Sequence, residues 1–174
     1  MGNSHTAVRP AQRPPIAADQ FRQLLRHHPA GVVIVTADVA GHPVGLTATS
    51  FTSVSLDPPL VSFYVATTSS TWPRLSQASL FGVHLLSADQ TELATRFAAK
   101  GVDRFAPPTR WSRDRDGVPA LDGVTARLVC SRAATRLIGD HWLVVGRVVA
   151  GTVHDPRRSP LLYHRGSFGG FTPF

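Results

Sequence analysis

The sequence predicts a mainly β protein, an antiparallel closed or Greek-key barrel with a few short flanking helices. Three observations carry this. The apolar segments are short, rich in Val, Ile and Thr, and bounded by Pro, Gly and Asp turns. They are not regularly separated by crossover helices, which argues against a doubly wound parallel sheet. The 174 residues, 43% hydrophobic and 17% charged, suit one domain with its own core. Residues 1–17 hold three prolines and no periodic pattern, so they are expected to be a flexible extension, with one domain over residues 18–174.

The first element is a helix from Asp19 to His28, with Asp19 as its cap and Phe21, Leu24 and Leu25 on its apolar face. Pro29 to Gly31 stops it. Val32 to Thr36 is β-branched and reads as a strand, followed by a turn over Ala40 to Pro43. Val44 to Ser55 alternates small polar and apolar residues and reads as one strand, ended by Asp57-Pro58-Pro59. Leu60 to Ala66 is a strand, and Thr67 to Thr71 a hydroxyl-rich loop. Ser70 or Thr71 caps a short helix through Ala78 with Pro73 in its first turn. Ser79 to Leu86 is a strand, and Asp89 to Ala99 a helix with Leu93, Phe97 and Ala98 inward. Residues 101–119 form a long irregular connection, the kind that often carries function. Thr125 to Arg132, Ala134 to Ile138, Trp142 to Val153 and Pro160 to His164 complete the strands, with bends expected at Gly146 and Gly151.

The formal net charge is +7, and Lys100 and Glu92 are the lone lysine and glutamate. A nucleic-acid reading requires clustered charge. Here the arginines are scattered, and the Arg110, Arg113 and Arg115 group is interleaved with Asp114 and Asp116. The surface is therefore expected to attract anionic small molecules, with no nucleic acid and no membrane as partner. No apolar run approaches the ~20 residues of a membrane span, and no signal peptide is visible, so a cytoplasmic location is expected. No G-x-G-x-x-G, P-loop, H-E-x-x-H or G-x-S-x-G motif is present. The histidines are dispersed, so no metal site is expected. Cys130 lies in a predicted strand and reads as a buried structural thiol.

What remains is a hydroxyl-rich strand and loop, Thr47 to Ser55 and Thr67 to Thr71, together with Gly139-Asp140-His141. Amides and hydroxyls in that combination suit a polar, anionic, planar ligand. The same residues would equally serve as solvent-facing strand positions, and spacing alone does not choose.

A resemblance favours the ligand. Gly31 to Thr36 (GVVIVT), Gly45 to Pro59 (GLTATSFTSVSLDPP), Phe81 to Leu86 (FGVHLL), Gly117 to Leu121 (GVPAL), Gly139 to His141 with Val145 to Val148 (VGRV), and Pro160 to Tyr163 (PLLY) occur in that order. Together they resemble the flavin reductase family, short NAD(P)H:flavin oxidoreductases that serve two-component monooxygenases. The resemblance covers roughly Phe21 to Phe168. It implies a six-stranded antiparallel Greek-key split barrel, a homodimer with flavin near the subunit interface, and a partner flavin-dependent monooxygenase. FMN or FAD would be the flavin, and NADH or NADPH the hydride donor, with the nicotinamide C4 hydride passing to flavin N5.

Residue by residue, the resemblance implies that Thr47, Ala48, Thr49 and Ser50 meet the isoalloxazine edge and ribityl chain. Ser53, Val54 and Ser55 would continue that wall, and Ser69, Ser70 and Thr71 would hold the phosphate. Lys100 and Gly101 would sit near the phosphate or adenylate end, or Lys100 would be a solvated helix-end residue. His141 would serve the nicotinamide side as the catalytic residue, with Asp140 fixing its tautomer. Tyr163, His164, Arg165 and Gly166 would lie along the pyridine nucleotide. The family often has Asn where this chain has His84. His84 would contact the flavin, alter which flavin binds, or be a strand histidine satisfied by a neighbour. Two other readings stay open: a tightly held flavin that reduces another acceptor, and a non-catalytic flavin- or haem-binding protein on the same barrel.

Overall fold

The computed structural model describes residues 14–173. The helices are α1 (Ala18–Leu25), α2 (Trp72–Leu75) and α3 (Thr91–Ala98). The first strands are β1 (Ala30–Gly31), β2 (Val33–Val39), β3 (His42–Ala48), β4 (Thr52–Leu56), β5 (Pro59–Ala66) and β6 (Leu80–Leu85). Then come β7 (Trp111–Arg113), β8 (Pro119–Leu121), β9 (Ala126–Ile138), β10 (His141–Val153), β11 (Leu162–His164) and β12 (Ser167–Gly169).

One antiparallel sheet holds seven strands in the order β3-β2-β6-β9-β10-β5-β4. Laid flat, the edges of a sheet that wide would stand about 29 Å apart. Yet the two edge strands are consecutive in the chain and joined only through residues 49–51. That link spans at most about 14 Å. The sheet therefore curls into a barrel whose ladder is interrupted at the β3–β4 seam. The six strands implied by the resemblance become seven because the run 44–55 is two strands rather than one. A continuous strand could not leave one edge of the sheet and join the other.

The barrel interior holds Val35, Phe63, Phe81, Val83 and Val144, with Trp72 stacked on Trp142 at 5.7 Å. A second cluster, including Ile34, Leu86, Phe97, Val124 and Leu161, fills the outer face of β2 and β6 beneath α3. Because β2 is buried on both faces, it reads as a continuous apolar run.

Several expectations need correction. Residue 17 is the N-cap of α1 and makes no side-chain cap bond, while Asp19 pairs with Arg22 instead. Phe21, Leu24 and Leu25 share a face, as the spacing predicts, but each is exposed. In α3 the inward residues are Ala94 and Phe97, and Ala98 faces out. His42 and Pro43 belong to β3, so the turn is confined to Ala40 and Gly41. Thr71 is the N-cap of α2 but its hydroxyl bonds elsewhere. The segments around Ala133 form one strand, β9, with a register shift opposite Val145/Gly146. A second shift falls at Val148/Ala150 rather than at Gly151. The irregular connection contains the small β7–β8 hairpin, and β11 pairs with both β1 and β12 in a separate three-stranded sheet. Of the extension expected over residues 1–17, residues 1–13 lie outside the described residues.

Candidate flavin site

Strand register brings some of the predicted residues to one end of the barrel. His141 opens β10 opposite Ala66, the last residue of β5. The Thr67 amide and hydroxyl both donate to the Asp140 carbonyl, at 2.9 and 3.1 Å. On the other side of β5, the Ser50 hydroxyl accepts the Tyr64 amide at 2.9 Å. The β3–β4 break, the hydroxyl loop and the Gly139-Asp140 turn therefore meet around the end of β5. Gly139 has a φ of +59°, which suits this two-residue hairpin turn.

His141 Nδ1 lies 2.6 Å from Asp140 Oδ1. That hydrogen bond holds the exposed Asp140 carboxyl below the usual carboxylate range. An ionised carboxylate only accepts, so Nδ1 is the donor in this bond.

Beside the hydroxyl loop lies a cleft of about 590 Å³. Ser70, Thr71, Arg74, Gly101 and Arg104 line one part of it. Arg104 donates to Thr71 Oγ1 at 2.5 Å, to the Gly45 carbonyl at 2.7 Å and to the Ala99 carbonyl at 2.6 Å. One guanidinium thus ties β3, the hydroxyl loop and the end of α3 together. Burial pulls its pKa below the ordinary arginine value, and its Nε is buried without a partner. The Asp103 carboxylate is engaged by its own loop, accepting the amides of Phe105 and Ala106. Two guanidinium groups and two hydroxyls fit an anionic ligand such as a phosphate.

Other predicted residues stand differently. Thr47 donates its hydroxyl to the Ala94 carbonyl at 2.6 Å, and Ala48 is in the barrel core, so both side chains are committed to structure. Thr49, Ser53 and Val54 are exposed and Ser55 is partly so, with a register shift between Ser53 and Ser55. Ser69 accepts the Thr71 amide. Lys100 is exposed and does not line the cleft, whereas its neighbour Gly101 does.

His84 corrects the flavin-contact reading. It is fully buried between β2, β6 and β9, with Nδ1 3.1 Å from the Ile34 carbonyl. An enclosed ring cannot reach a ligand at the open end of the barrel. Tyr163, His164, Arg165 and Gly166 lie on the β11–β12 hairpin. There Arg165 bonds His27 and the Arg26 carbonyl, and Tyr163 packs on Phe168. Within one chain this hairpin is held by β1 and the end of α1, away from the Asp140–His141 turn. Sequence reasoning missed Arg74 and Arg104. For Arg104 the one signal was the charge in the irregular loop after the third helix; Arg74, in the short second helix, had none.

The comparisons agree with this geometry. Residues 25–172 match the model described as "Flavin reductase like domain". A protein of Rhodococcus qingshengii named NADH:FMN oxidoreductase is 44% identical over 161 residues, 91% of this chain and 84% of that protein. HsaB of Rhodococcus jostii, the reductase subunit of a flavin-dependent monooxygenase, is 36% identical over 155 residues, 88% of this chain and 78% of that one. The structure of the Streptomyces globisporus NADH:FAD oxidoreductase SgcE6, in complex with NAD and FAD fragments, superposes with a TM-score of 0.83. That protein is 36% identical, and the match covers 89% of this chain and 93% of that one. A family match over nearly the whole chain, on a seam-split barrel that gathers hydroxyls, an Asp–His pair and a cationic cleft at one end, places the chain in the flavin reductase family.

Proposed function

We propose that this chain is an NAD(P)H:flavin oxidoreductase that reduces FMN or FAD and passes the reduced flavin to a separate flavin-dependent monooxygenase. The observation that carries this is the meeting of Thr49–Ser50, the 66–71 loop and Asp140–His141 around the end of β5, beside the Arg74–Arg104 cleft. When bound, the flavin supplies the redox chemistry, accepting the nicotinamide C4 hydride at N5. The protein binds and orients. Ser70, Thr71 and Arg104 hold the phosphate, with Ser69 fixing the loop that carries them. Backbone and hydroxyl groups of Thr49 and Ser53 to Ser55 face the ring edge and ribityl chain and stabilise negative charge developing there. Thr47 and Ala48 serve as the framework behind that wall. Asp140 holds His141 so that Nε2 is presented to the nicotinamide carboxamide.

The chain acts as a homodimer. Val54, Leu56, Tyr64, Leu137 and Val149 are exposed apolar side chains on β4, β5, β9 and β10 that a second copy would cover. A second copy would also bring a Tyr163–Gly166 hairpin towards an Asp140–His141 turn that the hairpin of the same chain does not approach. Among the described residues no helix is long and apolar enough to cross a membrane. The nicotinamide donor points to the cytoplasm as the working compartment.

A steady-state matrix of NADH and NADPH against riboflavin, FMN and FAD tests the reading. Wild type consumes nicotinamide only when flavin is added. His141→Ala lowers kcat/KM up to about 100-fold with flavin affinity kept, the cost of a small misplacement of the reacting atoms. No consumption with any flavin overturns the reductase assignment. Unchanged turnover of the variant removes His141 from its role.

A further inference from the structure

Arg165 has a backbone conformation that does not suit an arginine. His164 pairs with Ser167, so Arg165 and Gly166 are the two central residues of the β11–β12 turn, with φ of +52° and +89°. A turn with both central residues at positive φ favours Asn-Gly, and a long side chain is strained at the first of them.

What holds Arg165 there comes from the end of α1. Its amide donates to the Arg26 carbonyl at 3.1 Å, and its own carbonyl accepts Arg26 Nη2 at 3.1 Å. Arg26 is the C-cap of α1, so the first bond satisfies one of the carbonyls that a helix leaves unpaired at its end. The Arg165 side chain reaches His27, with Nη2 2.9 Å from Nδ1. A guanidinium only donates, so Nδ1 accepts and the His27 ring is neutral in this contact. Arg26 also lies over Gly166, with Nη2 3.4 Å from where a Cβ would stand. The base of the hairpin is lightly tied, because β1 gives it a ladder of two residues, Ala30 to Tyr163 and Gly31 to Leu162. Beyond Tyr163, the hydrogen bonds that tie the tip to the rest of the chain are, among the described residues, the three made with Arg26 and His27. A strained residue gripped by its amide, its carbonyl and its side chain is held in a position that its surroundings impose.

We propose that Arg26, His27 and Arg165 form a clasp that sets the hairpin tip for the nicotinamide nucleotide. The end of α1 is then part of the seat for the hydride donor, although it touches neither flavin nor nucleotide. The inference rests on the reading that the Tyr163–Gly166 hairpin of one copy borders the Asp140–His141 turn of another. All three are positioning residues. The Arg165 guanidinium is committed to His27, so it acts on the nucleotide through the backbone of the tip.

Three variants test the clasp. His27→Lys replaces the acceptor with a cation facing Arg165, and His27→Asn keeps an acceptor near the Nδ1 position. Arg165→Asn removes the long side chain but suits the turn. Both positions are exposed, where substitutions rarely unfold a protein. Hydrogen exchange of residues 162–169, without flavin or nicotinamide, reads the clasp itself, and steady-state kinetics read its role. Exchange at the tip rises in His27→Lys and Arg165→Asn and stays near wild type in His27→Asn. The KM for NADH rises about fivefold in the first two, the size of one lost hydrogen bond, while kcat and the KM for flavin stay within about twofold. The melting temperature of Arg165→Asn does not fall, because relief of the strained φ offsets the lost contact. The double variant is no worse than either single one, as expected of two partners in one contact. Unchanged exchange in His27→Lys overturns the clasp, and raised exchange with an unchanged KM overturns its role. A KM raised by Arg165→Asn but not by His27→Lys also overturns it and assigns Arg165 to direct contact with the nucleotide. A fall in kcat together with the melting temperature marks a merely structural contact and overturns it too. No NADH consumption by wild type sinks the reductase reading and the nicotinamide role together, while exchange still decides the clasp.

Discussion

His84 sits opposite Ile34 of β2 and Arg127 of β9, and its ring is 0% exposed. The Ile34 carbonyl can only accept, so Nδ1 donates and the imidazole is neutral, with Nε2 unpartnered. Burial, helped by the charge of Arg127, pushes its pKa down to about 3. The folded value lies below the unfolded value of 6.5, so the unfolded chain takes up the proton first. The stability His84 supports is complete above pH 6.5 and is lost as pH falls towards 3. Urea unfolding should therefore show stability falling from pH 6.5 to 4.5 in wild type and a flatter profile in His84→Asn, which cannot take up the proton. Parallel profiles would remove His84 as the source. The sequence marked position 84 as a departure from the family but could not say that the ring is enclosed. Its strand is buried on both faces, and that depends on what packs over it. Arg104 was less legible still. Nothing local separates it from the chain's other arginines, and its three acceptors come from residues 45, 71 and 99.

Strands and their ends were readable because Pro, Gly and β-branched residues mark them. The β3–β4 break was not. Residues 49–51 hold no Gly or Pro, and the alternation of small polar and apolar residues runs straight through them. The break comes from closure of the barrel, a long-range demand with no local signature. The face of α1 shows the converse: its spacing was legible, but among the described residues nothing buries that face. In β10, Gly146 was expected to mark an irregularity and stands at the shift in register, for a reason of packing. A Cβ there would lie 2.4 Å from the Phe81 ring and 3.0 Å from the Cβ of Cys130. Phe81 is itself buried and packed edge-on against Phe63, so it has little room to yield. Gly146→Ala should destabilise the protein by about 1–3 kcal/mol, the usual cost of overpacking a core, measured by chemical denaturation. A neutral substitution would mean that β10 shifts to accommodate a methyl group there.

At the scale of the molecule, the barrel buries its interior well but leaves apolar side chains uncovered on β4, β9 and β10. Leu56 is 93% exposed, and Val149 and Val153 project from β10 beyond cover. Past Ser131, β9 no longer pairs with β6, so among the described residues 133–138 form an edge bonded only to β10, with Leu137 and Ile138 exposed on it. An apolar strand edge of that kind is a pairing hazard unless something covers it. This same hairpin carries Asp140 and His141 at its tip, so whatever covers it also borders the candidate site. The double substitution Leu56→Arg with Val149→Arg adds charge to exposed positions and should leave the fold of the single chain intact. In an assembly it would bury two unpaired guanidinium groups in each copy, a cost that a modest apolar interface cannot carry. Light scattering should give a dimer for wild type and a monomer for the variant, with flavin-dependent NADH oxidation falling in step with the dimer fraction. A monomeric wild type at micromolar concentration would show that one chain is sufficient. A monomeric variant with full turnover would separate assembly from catalysis.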